Sequence, residues 1–562
     1  MKKHIGWLLL LCSLAGNAGA QNPKWYKKAR KAQLTLITYA ADGSIAGNGN
    51  AFYVDEQGTA LADYRLFENA ARAVAVDADG RERAVTAILG ADRLYDVVKF
   101  SVANEKKTPA LTVAAAPAEA DETVYILPPS TAGKAECRTA IVEEVRTVAD
   151  NYHYYTLSAP AGERQTNCPV MNADGQVIGM MQTPADAAAP RSYAIGAGYG
   201  ISLHTNVMTA ASDVYRAIGI PAALPDNEEQ ALTFLYMSSP QDTAKYSRYL
   251  DEFIRRYPAA VNGYLMRAEF RIAQGRYTEA EADYTAALQT GQKADEVHYA
   301  RSKQIHTLCQ AAAASDQVAA PADWTHDEAL AEAQAAYEAQ PLPLYLMQQG
   351  HCLYALKRYD EAYDRYMRLT DTNLRSAELF LYAVQCRRMA GAPADSLLAL
   401  ADSAVACFTQ PYMKQAAPAL LSRAGIRAEA GRYRDAVKDL YDYEHLMLNE
   451  VNANFYYQRY QFETRCRMLQ QALDDIERAI RMAPREPLFV LEKASLHYRV
   501  GELAEAIADA RHAIRMAPDF ADAYRILGVC LKADGQQAEA QQQLKKAAEL
   551  GDRIAADMLT GE

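Results

Sequence analysis

The chain has 562 residues, too many for a single hydrophobic core, so several domains are expected. Half of the residues are hydrophobic and 23% are charged, which is ordinary for a folded soluble protein. The formal net charge of −11 argues against general nucleic-acid binding, because neutralising phosphates requires a basic face.

The segment 1–20 is predicted to be an export signal. Lys2 and Lys3 give it a basic start, residues 5–14 are apolar, and Ala18-Gly19-Ala20 fits a small-residue cleavage site. Cleavage after Ala20 would release the mature protein into the periplasm or outside the cell. No later apolar run in the sequence approaches the roughly 20 residues that span a bilayer, so no transmembrane segment is predicted for the mature chain.

Residues 34–205 are predicted to form an all-β region. The β-rich runs 34–39, 71–76, 97–102, 123–127 and 140–145 are separated by turns, of which Asp42-Gly43, Asp79-Gly80 and Asp174-Gly175 are hairpin signals. Short strands at this spacing, with few helical patterns, indicate a sandwich or a barrel. A short segment at 21–33 precedes this region, and a linker at 206–226 follows it.

Three segments of the β region resemble trypsin-like serine proteases of the HtrA type. Residues 47–54 and 58–65 are similar to the strand, turn and strand that carry the catalytic histidine of that family. Residues 89–98 resemble the segment with the catalytic aspartate, and residues 169–179 the hairpin that follows the nucleophilic serine. The resemblance covers about residues 35–205 and implies an N-terminal trypsin-like double β-barrel.

The resemblance also implies a degenerate catalytic triad, with Arg65, Asp96 and Thr166 at the histidine, aspartate and serine positions. A guanidinium with a pKa above about 12 cannot accept a serine proton near neutral pH. The glycine-rich turn before the nucleophile is replaced by residues 163–165, whose side chains oppose an oxyanion pocket. A pseudoprotease is therefore predicted. Asp96 either forms an ion pair with Arg65, or caps a turn while Arg65 points to solvent.

Other residues of the β region leave alternatives open. Cys168 could act as a nucleophile with His153 or His204 as its base, although neither spacing is typical of a thiol protease. Cys137 and Cys168 could instead form a disulfide, because export permits one and both lie in this region. Residues 196–202 resemble the strand that lines the family's substrate groove, and would either pair with an extended peptide or only complete the barrel.

Residues 227–562 have a helical pattern that repeats every 34 residues. This distance separates Pro484 from Pro518, Gly501 from Gly535, and Ala506 from Ala540. A helix-turn-helix period of this length resembles tetratricopeptide (TPR) repeats and implies an all-α solenoid. The best copies span 487–518 and 521–551, and weaker ones span 242–258, 261–288, 343–366, 377–408, 417–441 and 453–484. Residues 300–342 are predicted to interrupt the array.

The TPR resemblance implies a peptide-binding or protein-binding concave face built from the first helix of each repeat. By repeat phase, the residues predicted to approach this face are Met347, His351, Tyr354, Tyr457, Arg465, Leu491, Tyr498, Arg499, Arg525 and Lys532. Tyrosine offers contact area at low entropic cost, and arginine grips carboxylates. The four basic residues of this set either read an acidic segment or chain terminus, or are ordinary solvated charges.

The sequence therefore favours an exported scaffold, in which an inactive trypsin-like domain and TPR repeats bind a protein partner in the cell envelope. No metal or cofactor is predicted, because the cysteine spacings lack a metal-ligand pattern. The alternative is an active trypsin-like serine endopeptidase whose repeats recruit substrate. In a third hypothesis, the barrel only caps the helical array.

Overall fold

The computed structural model describes residues 22–133, 135–148, 151–162, 164–184, 186 and 189–560. The predicted export signal at 1–20 and Glu163 therefore lie outside the described residues. The chain divides into two compact units, and the division falls after Lys293. The all-β region and the first helices of the array belong to the first unit, and the remaining helices form the second.

The all-β region consists of two closed six-stranded barrels preceded by helix α1 (Tyr26–Lys31). The first barrel contains β1 (Gln33–Tyr39), β2 (Ile45–Tyr53), β3 (Thr59–Ala62), β4 (Arg72–Val76), β5 (Glu82–Asp92) and β6 (Val97–Val102). The second contains β7 (Thr123–Ile126), β8 (Arg138–Val148), β9 (Tyr152–Leu157), β10 (Pro169–Met171), β11 (Val177–Met181) and β12 (Ser192–Gly196). The strand orders are β1-β2-β3-β6-β5-β4 and β10-β11-β12-β9-β8-β7. The predicted double barrel is confirmed.

Glycines set the hairpins that the sequence predicts. Gly43, Gly80 and Gly175 have φ angles of 85°, 80° and 80°, in the left-handed region that glycine enters without strain. They lie between β1 and β2, between β4 and β5, and between β10 and β11. The strands on either side of these turns pair antiparallel, and each barrel encloses its own apolar core, with every residue of β10 and β11 buried.

The segment 206–226 packs against the first unit rather than extending freely between domains. After β12 the chain forms α2 (Ala197–Ser202) and α3 (Asp213–Arg216). Ile218 and Ile220 are then buried in the core of the first barrel, and Ala222 and Leu224 pack with the first helices of the array. This segment is therefore a fixed connection between the barrel and those helices.

The helices of the array form consecutive antiparallel pairs. In the first unit they are α4 (Glu228–Met237), α5 (Thr243–Arg256), α6 (Val261–Ala273) and α7 (Tyr277–Gln289). In the second unit they are α8 (Ala294–Ala314), α9 (His326–Ala339), α10 (Pro343–Ala355), α11 (Tyr359–Leu369), α12 (Ala377–Met389), α13 (Ala394–Val405), α14 (Ala417–Glu429), α15 (Tyr433–Met447), α16 (Ala453–Arg465), α17 (Leu469–Met482), α18 (Pro487–Val500), α19 (Leu503–Met516), α20 (Ala521–Ala533), α21 (Gln537–Glu549) and α22 (Arg553–Thr560).

The predicted interruption at 300–342 is wrong. Helices α8 and α9 cover most of this segment and pack against each other as a further pair, and α9 also packs on α10. The sequence pattern hides this pair because α8 has 21 residues, longer than the neighbouring first helices, and a loop precedes α9. No helix among the described residues is both long and apolar enough to cross a membrane.

Small residues let neighbouring helices approach closely, as the repeat pattern predicts. Ala506, Ala513 and Ala547 are fully buried between helices. A Cβ added to Gly528 of α20 would lie 2.8 Å from the Leu544 side chain of α21, so a larger residue there would separate the pair. At the end of α18, Gly501 adopts a left-handed conformation with a φ of 85°, which turns the chain toward α19.

Candidate functional site

Arg65 and Asp96, which the sequence predicts at the histidine and aspartate positions, form an ion pair. Arg65 lies in a 3₁₀ turn directly after β3, and Asp96 lies in the turn between β5 and β6. The Arg65 Nε atom is 3.2 Å from Asp96 Oδ2, and the Arg65 backbone N–H donates to Asp96 Oδ1 at 3.1 Å. The Arg65 side chain is 65% exposed and that of Asp96 is 10% exposed. Of the two alternatives for Asp96, the ion pair is the one present.

A second buried carboxylate, which the sequence did not single out, joins the turn after β3 to the segment predicted to hold the nucleophile position. Asp63 lies two residues before Arg65, and its Oδ1 accepts a hydrogen bond of 2.8 Å from Asn167 Nδ2. Burial, assisted by the negative charge of Asp96, raises the pKa of Asp63 to about 6. The site thus holds two buried carboxylates around one partly exposed guanidinium.

The turn around Thr166, which is predicted to be the nucleophile position, is held by side chains. Asn50 of β2 donates from Nδ2 to the carbonyl oxygens of Arg164 and Thr166, at 2.8 and 2.9 Å. Arg164 and Asn167 have φ angles of 57° and 65°, in the left-handed region that costs energy for residues with a side chain. Gln165 Oε1 accepts from the Gly162 N–H at 2.7 Å, so a side chain occupies the inside of this turn.

Thr166 lies next to these residues, and no described side chain is hydrogen-bonded to its hydroxyl. Its side chain is half-buried, and its hydroxyl makes no hydrogen bond to any residue that the structure describes. The backbone of Asn167, the next residue, donates to the Met181 carbonyl at 2.8 Å, and its side-chain Oδ1 is buried with no partner among the described residues. Deprotonation of Thr166 would need an acceptor that the described part of this site does not provide.

The Cys168 alternative is not supported by the geometry. Cys168 is buried in the core of the second barrel, and burial raises the pKa of its thiol to about 12. The ring of His153 stacks on Tyr155, and His204 is exposed with Nδ1 3.1 Å from the Ser202 carbonyl oxygen. The structure describes no hydrogen bond from either histidine to Cys168, so a reactive thiolate has no activating partner there.

The disulfide considered for Cys137 and Cys168 is absent, and both are free cysteines. Cys137 packs against the apolar cluster between the two barrels, whereas Cys168 belongs to the core inside the second barrel. Burial also raises the pKa of the Cys137 thiol, to about 11. The two sulfurs therefore point into different apolar clusters.

The interpretation of residues 196–202 as a groove strand is wrong. Strand β12 ends at Gly196, and α2 follows at once. Tyr199 of α2 is buried and its hydroxyl donates to Asp92 Oδ2 at 2.5 Å, while Lys99 Nζ donates to the Ile201 carbonyl at 2.8 Å. Strand β12 itself is bonded to β11 and β9 on its two sides. These contacts leave no free strand edge at 192–202 for an added peptide.

The residues predicted for the concave face differ in their surroundings. Arg465, Tyr498, Arg499 and Lys532 are exposed, whereas Met347, His351, Tyr354, Tyr457 and Arg525 are half-buried. Leu491 is 5% exposed and packs in a core cluster with Val490, Ala513 and Ala523. The prediction that Leu491 faces a groove is therefore wrong. It packs between its own helix pair and the first helix of the next.

The four basic residues of this set are not equivalent. Arg525 is held by Asp522 and by Asp552, whose Oδ2 is 2.6 Å from Arg525 Nε. Arg465 donates to the Tyr433 hydroxyl at 2.6 Å and lies over its ring. Arg499 and Lys532 have no ion-pair partner among the described residues. Whether this face binds a peptide stays a prediction.

Buried arginine–aspartate pairs inside the helix pairs were missed by the sequence analysis. Three such pairs, each joining residues 16 apart, are Arg267 with Asp283, Arg423 with Asp439, and Arg459 with Asp475. Each joins the first helix of a pair to the second, and in each the aspartate side chain is almost fully buried. The signal that could have found them is this recurrent spacing of Arg and Asp.

One helix pair departs from this pattern. In α6 and α14 a second arginine one turn later, Arg271 or Arg427, also binds the buried aspartate. In α16 the corresponding residue is Glu463, which lies beside Asp475 and accepts from the Tyr441 hydroxyl at 2.8 Å. Burial and the Asp475 charge raise the pKa of Glu463 to about 8, and its Oε2 has no partner among the described residues.

Three histidines from different helices form a cluster in the second unit. The ring of His306 on α8 lies 5.1 Å from that of His326 on α9 and 6.5 Å from that of His351 on α10. His351 Nδ1 is 2.9 Å from the Tyr366 hydroxyl. Burial lowers the pKa of all three, that of His306 to about 4. No group of three such side chains in the described ranges is arranged to hold a metal ion.

Comparisons with known proteins match both halves of the chain. A profile of the trypsin-like peptidase domain matches residues 49–180, and a profile of the tetratricopeptide repeat matches residues 247–295, 469–517 and 491–556. The active form of the Rv3671c protease from M. tuberculosis is 16% identical, with a TM-score of 0.28, over 36% of this chain and 86% of that one. The HtrA-type protease AlgW with a tripeptide is 16% identical, with a TM-score of 0.27, over 31% of this chain and 60% of that one. No curated protein matches the chain.

Proposed function

We propose that this chain, which fuses a trypsin-like peptidase domain to tetratricopeptide repeats, is an exported scaffold that binds a partner protein and has no protease activity. The observation that carries this proposal is the ion pair of Arg65 with Asp96. In a serine protease of this class the aspartate orients a histidine, which takes the serine proton and later returns it. In this proposal Arg65 fills the histidine position, and a guanidinium cannot serve as a general base near neutral pH.

The nucleophile segment supports the same proposal. An oxyanion pocket needs backbone N–H groups that converge on one point in an open turn. Here Asn50 fixes two carbonyl groups of this turn, and Gln165 fills its inside. Thr166, the residue at the serine position, lacks a base. Restoring activity would therefore require changes to the base, the nucleophile and the turn.

The repeats supply the surface for a partner in this proposal. TPR solenoids present consecutive first helices, and Tyr498, Arg499 and Lys532 are exposed on two of them. We propose the concave face that contains them as a contact region for a protein segment, with cleavage after Ala20 placing the protein in the cell envelope. Tyrosine and arginine are enriched among residues that dominate binding energy at protein interfaces.

The test combines partner capture with an assay for peptide cleavage. The full chain is crosslinked in its native envelope, and bound proteins are identified by mass spectrometry. We expect a reproducible, uncleaved partner that is lost in a variant carrying Tyr498→Ala, Arg499→Gln and Lys532→Gln. The matched control carries Arg511→Gln and Lys546→Gln, which remove charges from second helices, and should retain the partner.

Two results would overturn the proposal in different ways. Cleavage of a peptide library that disappears in Thr166→Ala or Cys168→Ala would establish the alternative, an active endopeptidase whose repeats recruit substrate. If the chain is folded but no partner is crosslinked to it, the proposed scaffold function is wrong. Partner binding that survives deletion of the barrels would favour the third hypothesis, in which they only cap the array.

A further inference from the structure

Four cations without counter-ions among the described residues lie near the loops that join α14 to α15 and α16 to α17. They are Arg434 and Lys438 of α15, Arg465 at the end of α16, and Arg467 in the loop that follows. All four are exposed, and none forms an ion pair with a residue that the structure describes. We infer that this basic patch binds an acidic segment of the partner protein, an inference that deepens the proposed scaffold function.

Contacts between the two helix pairs bring these four residues to one place. Arg465 Nη1 donates to the Tyr433 hydroxyl at 2.6 Å, and its guanidinium lies 5.1 Å from the centre of the Tyr433 ring. Tyr433 is the first residue of α15, next to Arg434. Burial raises the pKa of Cys466, the residue between Arg465 and Arg467, and the nearby positive charge of Arg434 partly opposes this rise. Lys438 lies one helical turn after Arg434, on the same face of α15.

The equivalent edges of other helix pairs are neutralised. At the start of α7, Arg276 is paired with Glu279, and at the start of α11, Arg358 binds Glu361 through two bonds of 2.7 Å. The exposed Arg388 at the end of α12 binds Glu429 at 2.9 Å. These three arginines are balanced within the chain, whereas Arg499 and Lys532, near the ends of α18 and α20, have no ion-pair partner among the described residues. The basic patch differs from both cases because it gathers four such cations from two neighbouring helix pairs.

Nearby carboxylates do not balance the basic patch. Asp435 follows Arg434 directly, and Asp474 of α17 accepts from Gln470 Nε2 at 3.3 Å, yet neither pairs with a cation of the patch. Grouped like charges repel, and the chain has an excess of acidic residues, 70 against 59 Lys and Arg, from which neutralising partners could have been drawn. A cluster that stays unpaired in such a chain indicates an external anion as its counter-charge.

The chemistry of the basic patch favours carboxylates of a peptide. A guanidinium binds a carboxylate through two parallel hydrogen bonds, and three guanidiniums at one edge offer three such forks. Tyr433 and Phe462, whose ring centres are 5.9 Å apart, provide apolar area beside the charges. A segment rich in Glu or Asp with an interspersed apolar residue matches both features. Complementary charge of this kind also accelerates association.

The experiment measures binding of a labelled ten-residue glutamate peptide to the full chain by fluorescence anisotropy. A variant with Arg434→Gln, Arg465→Gln and Arg467→Gln should bind the peptide at least tenfold more weakly. The control variant carries Arg276→Gln, Arg358→Gln and Arg388→Gln, which remove the same number of charges at neutralised edges. It should bind within twofold of the unchanged chain, and thermal unfolding verifies that both variants are folded.

The outcomes separate this inference from the proposed function. An equal loss of peptide affinity in both variants would mean that the peptide responds only to net charge, and would overturn the proposal that it binds the basic patch. Phosphatidylserine vesicles that bind more tightly than the peptide, and depend on the same three arginines, would show a membrane surface as the ligand and overturn the acidic segment. If the crosslinked partner is retained by the patch variant, the scaffold stands and the basic patch fails. If no partner is ever crosslinked, the scaffold itself fails.

Discussion

The molecule contains two kinds of arginine–aspartate pair, and their surroundings assign them different roles. Arg65 with Asp96 lies at the surface of the first unit, with the arginine side chain 65% exposed. Arg459 with Asp475 lies inside a helix pair of the second unit, with exposures of 0% and 1%. An exposed pair contributes about 0–1 kcal/mol to stability, whereas removing one partner of a buried pair costs about 3–5 kcal/mol.

The same chemical pair therefore stabilises helix packing in the second unit, whereas in the first unit it lies at the predicted catalytic position. Arg459 binds Asp475 and Glu444 at 2.6 and 2.7 Å and has aromatic rings around its guanidinium. Such a pair holds two helices in register. Among the described residues Arg65 forms an ion pair with Asp96 alone, and in the proposed function its role is to keep a general base out of this position.

The largest expected effect comes from breaking the buried pair. Arg459→Ala leaves the Asp475 and Glu444 carboxylates without their cation, and should lower the free energy of unfolding of the second unit by about 3–5 kcal/mol. Urea denaturation measures this through Trp324, which is buried in the second unit, in a Trp25→Phe background. The double variant Arg459→Met with Asp475→Leu should lose less free energy of unfolding than Arg459→Ala. An equal or larger loss would contradict the importance of the unpaired charge.

The next effect concerns Glu463, the residue that replaces an arginine in the same helix pair. Its pKa is about 8 in the folded chain, against an ordinary value of 4.5. Because the folded pKa is raised, the protonated form stabilises the fold below pH 4.5, and this contribution is lost as the pH rises toward 8. Glu463→Gln should therefore be more stable than the unchanged chain at pH 8.5 by about 2 kcal/mol, with the difference shrinking toward pH 5.

Thermal unfolding from pH 5 to pH 8.5, again followed through Trp324, measures this difference. Arg427→Gln, at the matching position of α14, is the control. Arg427→Gln removes the cation beside a buried aspartate, so it should destabilise the fold at every pH in this range. Its difference in stability from the unchanged chain should not grow with pH as that of Glu463→Gln does. A Glu463→Gln curve parallel to that of the unchanged chain would show that Glu463 does not hold a proton in the fold.

The histidine cluster predicts a smaller effect of opposite sign. The pKa of His306 falls to about 4 from an ordinary 6.5, so the neutral ring stabilises the fold above pH 6.5 and the contribution is lost as the pH falls. The rings facing it are His326 and His351, and the carboxylates of the described residues that act on these rings are Asp327 and Glu378. His306→Phe should reduce the loss of stability between pH 6.5 and 4.5 by about 1–2 kcal/mol, measured by urea titration at each pH.

The exposed His512 of α19 is the control for that experiment, because His512→Phe removes a histidine outside the cluster. His512→Phe should leave the loss of stability between pH 6.5 and 4.5 unchanged. If both variants behave alike, the cluster is not the source of acid sensitivity. Together with the Glu463 result, this would test whether the second unit is most stable between about pH 5 and 6.5.

The features that the sequence predicts correctly are those set by local residues or by repetition. The Asp-Gly turns fix the hairpins, and the recurrent Ala and Gly positions fix the helix pairs, since each follows from backbone freedom or close packing within a few residues. Contacts between distant segments could not be predicted. The hydrogen bonds of Asn50 to the nucleophile turn join residues more than 100 positions apart. The histidine cluster likewise draws on three helices.

The wrong predictions have related causes. Residues 196–202 were expected to be a strand because of a family resemblance, but Gly198 and Gly200 fit a tight helix that Tyr199 anchors to a distant aspartate. The long helix α8 breaks the repeat period without breaking the array. Leu491 was assigned by phase alone, and burial against the next helix pair overrides phase at that position.

The smallest effect on stability, and the sharpest test of the comparison, is at Arg65. Arg65→Ala should change the free energy of unfolding of the first unit by less than about 1 kcal/mol, followed through Trp25 in a Trp324→Phe background. Arg65→His restores an imidazole beside Asp96, yet no peptide cleavage is expected. In the proposed function Thr166 remains in a turn that Asn50 and Gln165 hold through hydrogen bonds, and this turn supplies no oxyanion pocket. Cleavage that appears in Arg65→His and vanishes on adding Thr166→Ala would show that Arg65 alone blocks a competent site, which would then be regulated rather than lost.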